Sequence, residues 1–382
     1  MWQKFKLADV CTLRNGRAYK KPELLVKGKY RVLRVGNFFT NRNWYYSDLE
    51  LDDTKYCDNG DLLYAWSASF GARIWEGEKV IYHYHIWRVD INEEIVDKRF
   101  LFYWFEFDKE LIKAASGTGT TMMHVSKSSM EKRDIILPSL AEQKIIVAKL
   151  DAAFVDIDKA IETVEYQKKE VQQVFEAEVR KYFLENVLVA DVKRLSQVAD
   201  YFNGLTYSPK DVGDEGIIVL RSSNIQNGKM HYADIVRVSK TIKEKLYVLP
   251  NDILVCSRNG SKALIGKSSL IGDTDEKMTF GTFMMIVRSE MNDYLQWFFK
   301  SSLFKAQIAQ GENTAINQIT RYMLDEVQLP IPSKDSRDLV SEKLQKLDYE
   351  VRELNILYER KLCNLTTLKA AILTQQMRSD AA

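Results

Sequence analysis

The feature that most limits the fold is an internal duplication. Five landmarks recur in the same order at a period of roughly 190 residues, too long for a solenoid and right for two domains. Leu7-Ala8-Asp9-Val10, leading to Asn15-Gly16, returns as Leu195-Ser196-Gln197-Val198, leading to Asn203-Gly204. Val32-Leu33-Arg34 with Asn37 returns as Val219-Leu220-Arg221 with Asn224, and Asn59-Gly60-Asp61 returns as Pro250-Asn251-Asp252. The aromatic cluster at 102–105 returns at 297–299, and the run from Gly117 to Leu137-Pro138 returns as Gly311 to Leu329-Pro330.

Each repeat has two parts. β-rich runs such as 30–35, 79–89 and 216–220 are broken by Gly and Asn turns. A long helix then opens just past a proline, where helices like to begin. In the first helix Val147, Leu150, Phe154, Ile157, Ile161 and Val164 alternate at spacings of three and four, and the seam resumes after Lys168 at Val171 and Phe175. In the second, Val340, Leu344, Leu347, Val351, Leu354 and Tyr358 do the same, resuming after Lys361 at Leu365, Leu368 and Ile372. Sustained three–four spacing predicts a coiled-coil seam, in helices of some 40 residues and roughly 60 Å. The expected fold is mixed α+β: two similar α/β domains separated by two long antiparallel coiled-coil helices, a pseudo-twofold internal repeat. Its expected parts are 1–138, a central helix at 139–187, 188–332, and a C-terminal helix at 333–382 pairing with the central one.

Composition matters mainly for what it excludes. No apolar run is long enough to span a bilayer, the start lacks the apolar core of a signal peptide, and the four cysteines form no C-x-x-C pair. A reducing cytoplasm and no membrane partner are expected. The net charge is only +2, but residues 1–44 carry eleven Lys/Arg against two acids. Positive charge is needed only where a nucleic-acid backbone passes; a solvated basic face remains the alternative.

The run Gly117-Thr118-Gly119-Thr120-Thr121, then Ile136-Leu137-Pro138-Ser139-Leu140-Ala141-Glu142-Gln143, then Leu150-Asp151 closely resembles the end of a target recognition domain and the start of the central helix in Type I restriction–modification specificity subunits. The second junction departs from it, with Ser336-Arg337-Asp338 standing where Ala-Glu-Gln is expected. The resemblance spans the whole chain. It implies two target recognition domains, each reading one half of a split double-stranded DNA site, and helices that dock two methyltransferase subunits, with restriction subunits in the full complex. It also implies that S-adenosylmethionine, ATP and Mg belong to the partners, leaving this chain no cofactor or metal of its own.

Catalytic motifs are correspondingly incomplete, and no catalytic residue is assigned. The run from Gly260 to Lys267-Ser268 has five residues between its glycines where a P-loop needs four. His83 and His85 share one face of an expected strand but lack nearby third and fourth ligands. For base readout, Arg and Lys suit guanine, and Asn and Gln suit adenine. The first-domain candidates are Arg34, Asn37, Trp66, Ser67, Ser69, Arg73, Thr118, Thr120, Thr121 and Lys127. The second-domain candidates are Arg221, Asn224, Arg258, Asn259, Lys262, Asn317, Gln318 and Arg321. Two rival readings stay open: a coiled-coil scaffold without DNA readout, and a nuclease or NTPase.

Overall fold

A computed structural model describes residues 2–67, 71–116, 125–187, 190–310 and 318–378. It divides into two compact units, residues 1–164 with 360–382, and residues 165–359.

In the first unit the order is β1 (Gln3–Lys6), α1 (Leu7–Val10), β2 (Cys11–Asn15), β3 (Tyr30–Leu33), α2 (Val35–Thr40), β4 (Tyr45–Ser47), β5 (Tyr56–Cys57), β6 (Leu62–Ala65), β7 (Gly71–Ile74), β8 (Val80–Tyr82), β9 (Ile86–Ile91), α3 (Lys98–Ser116), α4 (Lys127–Glu131) and β10 (Asp134–Leu137). They form an antiparallel sheet β2-β9-β6-β7, a second sheet β4-β3-β8-β5 in which β3 and β8 are parallel, and a ribbon β1-β10. The helix α5 (Leu140–Val187) follows.

The second unit repeats this plan with β11 (Asp191–Arg194), β12 (Asp200–Asn203), β13 (Val212–Gly213), β14 (Ile217–Leu220), β15 (Ile225–Gln226), β16 (Lys229–Met230), β17 (Val236–Val238), β18 (Ile253–Cys256), β19 (Ser268–Leu270), β20 (Met278–Phe280), β21 (Met284–Arg288), α6 (Asn292–Lys300), α7 (Ser302–Gln310), α8 (Arg321–Glu326) and β22 (Gln328–Ile331). Its sheets are β12-β21-β18-β19, β13-β17-β14-β20 with β14 parallel to β20, and β11-β22; the hairpin β15-β16 is extra. The helix α9 (Lys334–Met377) closes the chain.

The landmarks of the duplication have structural reasons. A Cβ on Gly16 would stand 2.3 Å from the Tyr82 carbonyl oxygen, and one on Gly204 would stand 2.1 Å from that of Gly281. Only glycine lets the chain after β2 or β12 lie this close to the strand end opposite. Asp61 and Asp252 each accept a backbone N–H three residues back, from Asp58 and Leu249, both at 2.8 Å. Gln143 is fully buried: its amide accepts from Asp97 N and donates to the Ile95 and Pro138 carbonyls. Arg337 takes the matching place, donating to Pro332 O at 2.9 Å, and Gln143 N and Arg337 N bond back to Ser139 O and Ser333 O. The equivalent of Ala-Glu-Gln is therefore Asp335-Ser336-Arg337, one residue earlier than the sequence suggested.

Two β-rich runs are also shorter than expected. The strand at 30–35 stops at Leu33 and a helical turn begins at Val35, while 79–89 is split by a turn into β8 and β9.

The core of the first unit sets Leu7, Trp87, Phe100, Trp104 and Phe105 against Leu150 and Phe154 of α5, with Leu373 and Met377 of α9 joining. In the second, Phe175, Val179 and Phe183 of α5 pack with Val340, Leu344 and Val351 of α9 beneath the α6 aromatics. Within each unit the helical segments run in opposite directions: the start of α5 meets the end of α9 in one, and the end of α5 meets the start of α9 in the other. Val147, Leu150, Phe154, Ile157, Val164, Leu344 and Val351 are buried, and Ile161 and Leu347 half-buried. Leu354 is a correction: it is 39% exposed, as Leu368 is 49%, because beyond Val351 the inward stripe passes through Asn355, Tyr358 and Leu362. Lys168 leaves the seam to pair with Glu359 at 2.9 Å.

Candidate nucleic-acid interface

The same three backbone hydrogen bonds frame one end of each unit. His83 N donates to Leu33 O at 2.8 Å, as Gly281 N does to Leu220 O at 2.9 Å. Trp66 N donates to His85 O at 3.0 Å, as Ser257 N does to Phe283 O at 2.9 Å. Val125 N donates to Trp66 O at 3.3 Å, as Ile319 N does to Ser257 O at 2.6 Å. Next along the chain, Ser126 and Thr320 cap short helices by accepting from Ser129 N and Met323 N. The frame gathers the residues after β3 or β14, after β6 or β18, the turn after β8 or β20, and the approach to α4 or α8.

In the second unit this end is polar and cationic. Arg258 Nε donates to Gln318 Oε1 at 2.9 Å, and the two residues form an isolated bridge. The Arg258 guanidinium lies 6.0 Å from the centre of the Phe283 ring, itself 54% exposed. Asn259 donates to Ser222 Oγ at 3.3 Å and orders its own loop by accepting from Ser261 N. Arg221 pairs with Asp234 at 2.8 Å. Lys262 is exposed in the following loop, and Arg321 lies over the Tyr201 ring at 5.4 Å.

In the first unit the corresponding end is aromatic. Trp66 stacks on Trp87 at 5.8 Å and donates its indole N–H to Tyr84 O at 2.8 Å. Tyr19 stacks on His83, and Tyr84 is 39% exposed at the turn. Arg34 sits over Tyr45 at 5.1 Å. Burial, helped by His85 and Arg34, pushes the His83 imidazole down to about 4, so it is neutral at physiological pH.

The sequence candidates therefore sort unevenly. Arg34, Trp66 and Ser67 gather at the first end, although Ser67 is buried; Arg221, Arg258, Asn259, Gln318 and Lys262 gather at the second. Asn37 and Asn224 are corrections. Both are buried and accept from the backbone N–H three residues back, Arg34 at 2.6 Å and Arg221 at 2.8 Å. Their amide groups donate to backbone carbonyls, those of Arg42 and Asn43 and those of His231 and Asp234. Both shape turns and present no amide to a base edge. Arg73 donates to Phe38 O at 2.7 Å, and Lys127 pairs with Glu131 on its own helix. Ser69, Thr118, Thr120, Thr121 and Asn317 lie outside the described residues. The sequence singled out His83 and His85 but set them on a strand rather than in the turn at 83–85, and it missed the counterpart at 281–283; the duplication carried the signal, since both turns follow matching strands.

Six of the eleven cations of the basic opening segment stand in ion pairs. Lys4 and Lys6 pair with Asp134, Arg14 with Asp90, Arg17 with Glu23, Lys29 with Glu50 and Arg31 with Glu78. The Gly260 to Ser268 run joins β18 to β19 as a hairpin, with Gly266 at φ +81. A P-loop must instead lead from a strand into a helix. His83 and His85 sit at the turn rather than along a strand. Among the described residues no group of three His, Cys, Asp or Glu gathers to hold a metal, and no helix is long and apolar enough to cross a membrane.

The family described as "Type I restriction modification DNA specificity domain" matches residues 1–185 and again 190–358. The chain belongs to this family. Among curated relatives, the Type I restriction enzyme EcoKI specificity subunit of Escherichia coli (strain K12) is 30% identical over 175 residues, 44% of this chain and 38% of that subunit. The StySPI specificity subunit of Salmonella potsdam is 32% identical, with 35% of its length matched. These two alignments thus span well under half of the relatives they match. The Type I restriction enzyme EcoBI specificity subunit of Escherichia coli is 22% identical across 99% of this chain and 86% of its own length. A solved chain described under "Structural basis underlying complex assembly and conformational transition of the type I R-M system" shares the fold at TM-score 0.74, with 16% identity over 99% of this chain and 98% of that one. The family match falls twice on the chain, once on each copy of the three-bond frame, so each specificity domain carries its own framed end.

Proposed function

We propose that this chain is the DNA sequence-specificity subunit of a Type I restriction–modification complex, each framed end reading one half of a bipartite double-stranded site. The observation that carries the reading is the pairing of one backbone frame with two different side-chain sets. A scaffold without readout has no need to vary one end of a duplicated domain while keeping its hydrogen bonds. Arg258 and Gln318 are suited to base edges in the major groove, and the half-buried aromatics of the first unit offer apolar contact to a thymine methyl group. In this reading the exposed apolar residues of the long helices, such as Val155, Val174, Leu354 and Leu357, dock two methyltransferase subunits, with restriction subunits joining the full complex. S-adenosylmethionine, ATP and Mg belong to those partners, and this chain contributes recognition rather than bond-making. The test is co-expression with the neighbouring methyltransferase followed by mapping of N6-methyladenine. A two-part methylated motif that vanishes without this chain supports the reading; methylation independent of it refutes the reading.

A further inference from the structure

The duplication places an arginine directly after β3 and again directly after β14, next to the strand-end carbonyl that accepts from the turn opposite. Arg34 and Arg221 are therefore equivalent, and Asn37 and Asn224 accept from their backbone N–H groups alike. Their side chains are not used alike. Arg221 donates from Nη2 to Asp234 at 2.8 Å. Val32 pairs with Tyr45 and Val219 with Val236, so Asp234, two residues before Val236, corresponds to Asn43, two before Tyr45. Asn43 carries no charge to hold an arginine. Among the described residues Arg34 makes no ion pair and no side-chain hydrogen bond. Its guanidinium lies over the exposed ring of Tyr45, where the second unit has Val236.

The next corner of the frame reverses the arrangement. By the frame's hydrogen bonds, Ser67 corresponds to Arg258 and His85 to Phe283. Ser67 is buried, whereas Arg258 is exposed and set against the exposed Phe283 ring. Gln318 Oε1 accepts from both Nε and Nη2 of Arg258. A guanidinium has five N–H donors. Gln318 takes the pair along one side and leaves the parallel pair at the tip, one on each Nη. That pair matches the O6 and N7 acceptors of guanine. Among the described residues no carboxylate pairs with Arg258. Each end thus keeps one arginine clear of carboxylates and against an aromatic ring, and the two come from different corners of the same frame.

We propose that Arg34 and Arg258 are specificity-determining residues, each reading one guanine of its own half-site, with Gln318 positioning Arg258 and Asp234 withholding Arg221. The assignment rests on the framed ends contacting DNA. A phosphate is served by a mobile point charge such as lysine, whereas a bidentate contact to a base edge needs a planar fork held in place. The ring beside each arginine supplies that hold, and Gln318 adds to it in the second unit.

The experiment is co-expression of the full chain with the neighbouring methyltransferase and genome-wide mapping of N6-methyladenine, with the Tm of each purified variant measured beside it. Arg34→Lys keeps the charge and loses the fork, and should relax one G·C pair of one half-site about tenfold while the other half holds. Arg258→Lys should relax one G·C pair of the other half. Gln318→Ala should relax that same pair, and combining it with Arg258→Lys should add nothing further. Asp234→Asn releases Arg221 and should alter only the half that Arg258 reads. Partial unfolding lowers methylation at every site in proportion, so a change confined to one base pair reports recognition. The proposal is overturned if the lysine variants, at unchanged Tm, weaken every site alike, which marks a phosphate contact, if the relaxed pair is A·T, or if Gln318→Ala relaxes a different pair. A motif unchanged by a variant overturns the role given to its residue. Methylation that persists without the chain refutes the DNA-reading assignment itself, so the two failures are distinct.

Discussion

The two framed ends share a skeleton and differ in what hangs from it. The first places Trp66, Tyr84 and two histidines where the second places Ser257, Thr282, Gly281 and Phe283, while Arg258 and Gln318 add a hydrogen-bonding pair to the second. The contrast teaches that the frame and the side chains it carries are separable. Backbone hydrogen bonds, close-approach glycines and turn asparagines fix where the end lies, and a few exposed side chains are free to differ between the two copies.

The largest test exchanges a whole end. Replacing residues 1–138 with another recognition domain should change one half of the methylated motif and leave the other intact. If both halves change together, the ends are not independent and the comparison fails. Next in size is the frame itself. Gly204→Ala would push a Cβ to 2.1 Å from a carbonyl oxygen, so the backbone must shift, at about 3 kcal/mol. Chemical denaturation should record that loss, and Gly16→Ala should match it.

The turn asparagines separate shape from reading more finely. Asn224→Ala leaves the Arg221 N–H and two carbonyls without their partner, and unmet buried groups cost about 2 kcal/mol. Stability should fall while the methylated sequence stays the same. A changed sequence would return Asn224 to the readers. Arg258→Ala should do the reverse. Folding stability should hold, and one position of one half-site should relax by about 1.5 kcal/mol, roughly tenfold. Unaltered specificity would place the reader elsewhere in that loop.

Much of this was legible in the sequence because duplication prints itself twice. The glycines and the Asp61/Asp252 pair stood out as recurring letters, and the helices showed as a three–four seam. The residues proposed to read DNA were hard to see for the same reason. A recurring residue such as Asn224 recurs because the fold needs it, so recurrence pointed to the frame and away from the variable tip. Tyr84 and Phe283 match nothing across the repeats and were passed over, and His83 drew notice only with His85 as a histidine pair on an expected strand, although their position after matching strands marked all of them. Part of the charge of the opening segment is offset in a way the sequence hid, because partners such as Asp134 and Asp90 are far away in sequence. Leu354 missed the seam because a heptad drifts against the 3.6-residue turn over a long helix.

The smallest expected effect distinguishes the ends by pH. Burial, then the neighbouring His85 and Arg34, hold the His83 imidazole down to about 4 from an ordinary 6.5. The unfolded chain therefore binds this proton more readily than the folded one between those values. The stability associated with a neutral His83 is fully present above pH 6.5 and is lost as pH falls toward 4. The equivalent place in the second unit is Gly281, which does not titrate. Acidification across this window should weaken the first unit selectively, read as faster amide exchange in β3, β8 and β9 than in β14, β20 and β21. His83→Gln keeps a polar side chain without the titration and should remove that asymmetry. If the asymmetry survives in the variant, the acid sensitivity belongs to another group and His83 is not its source.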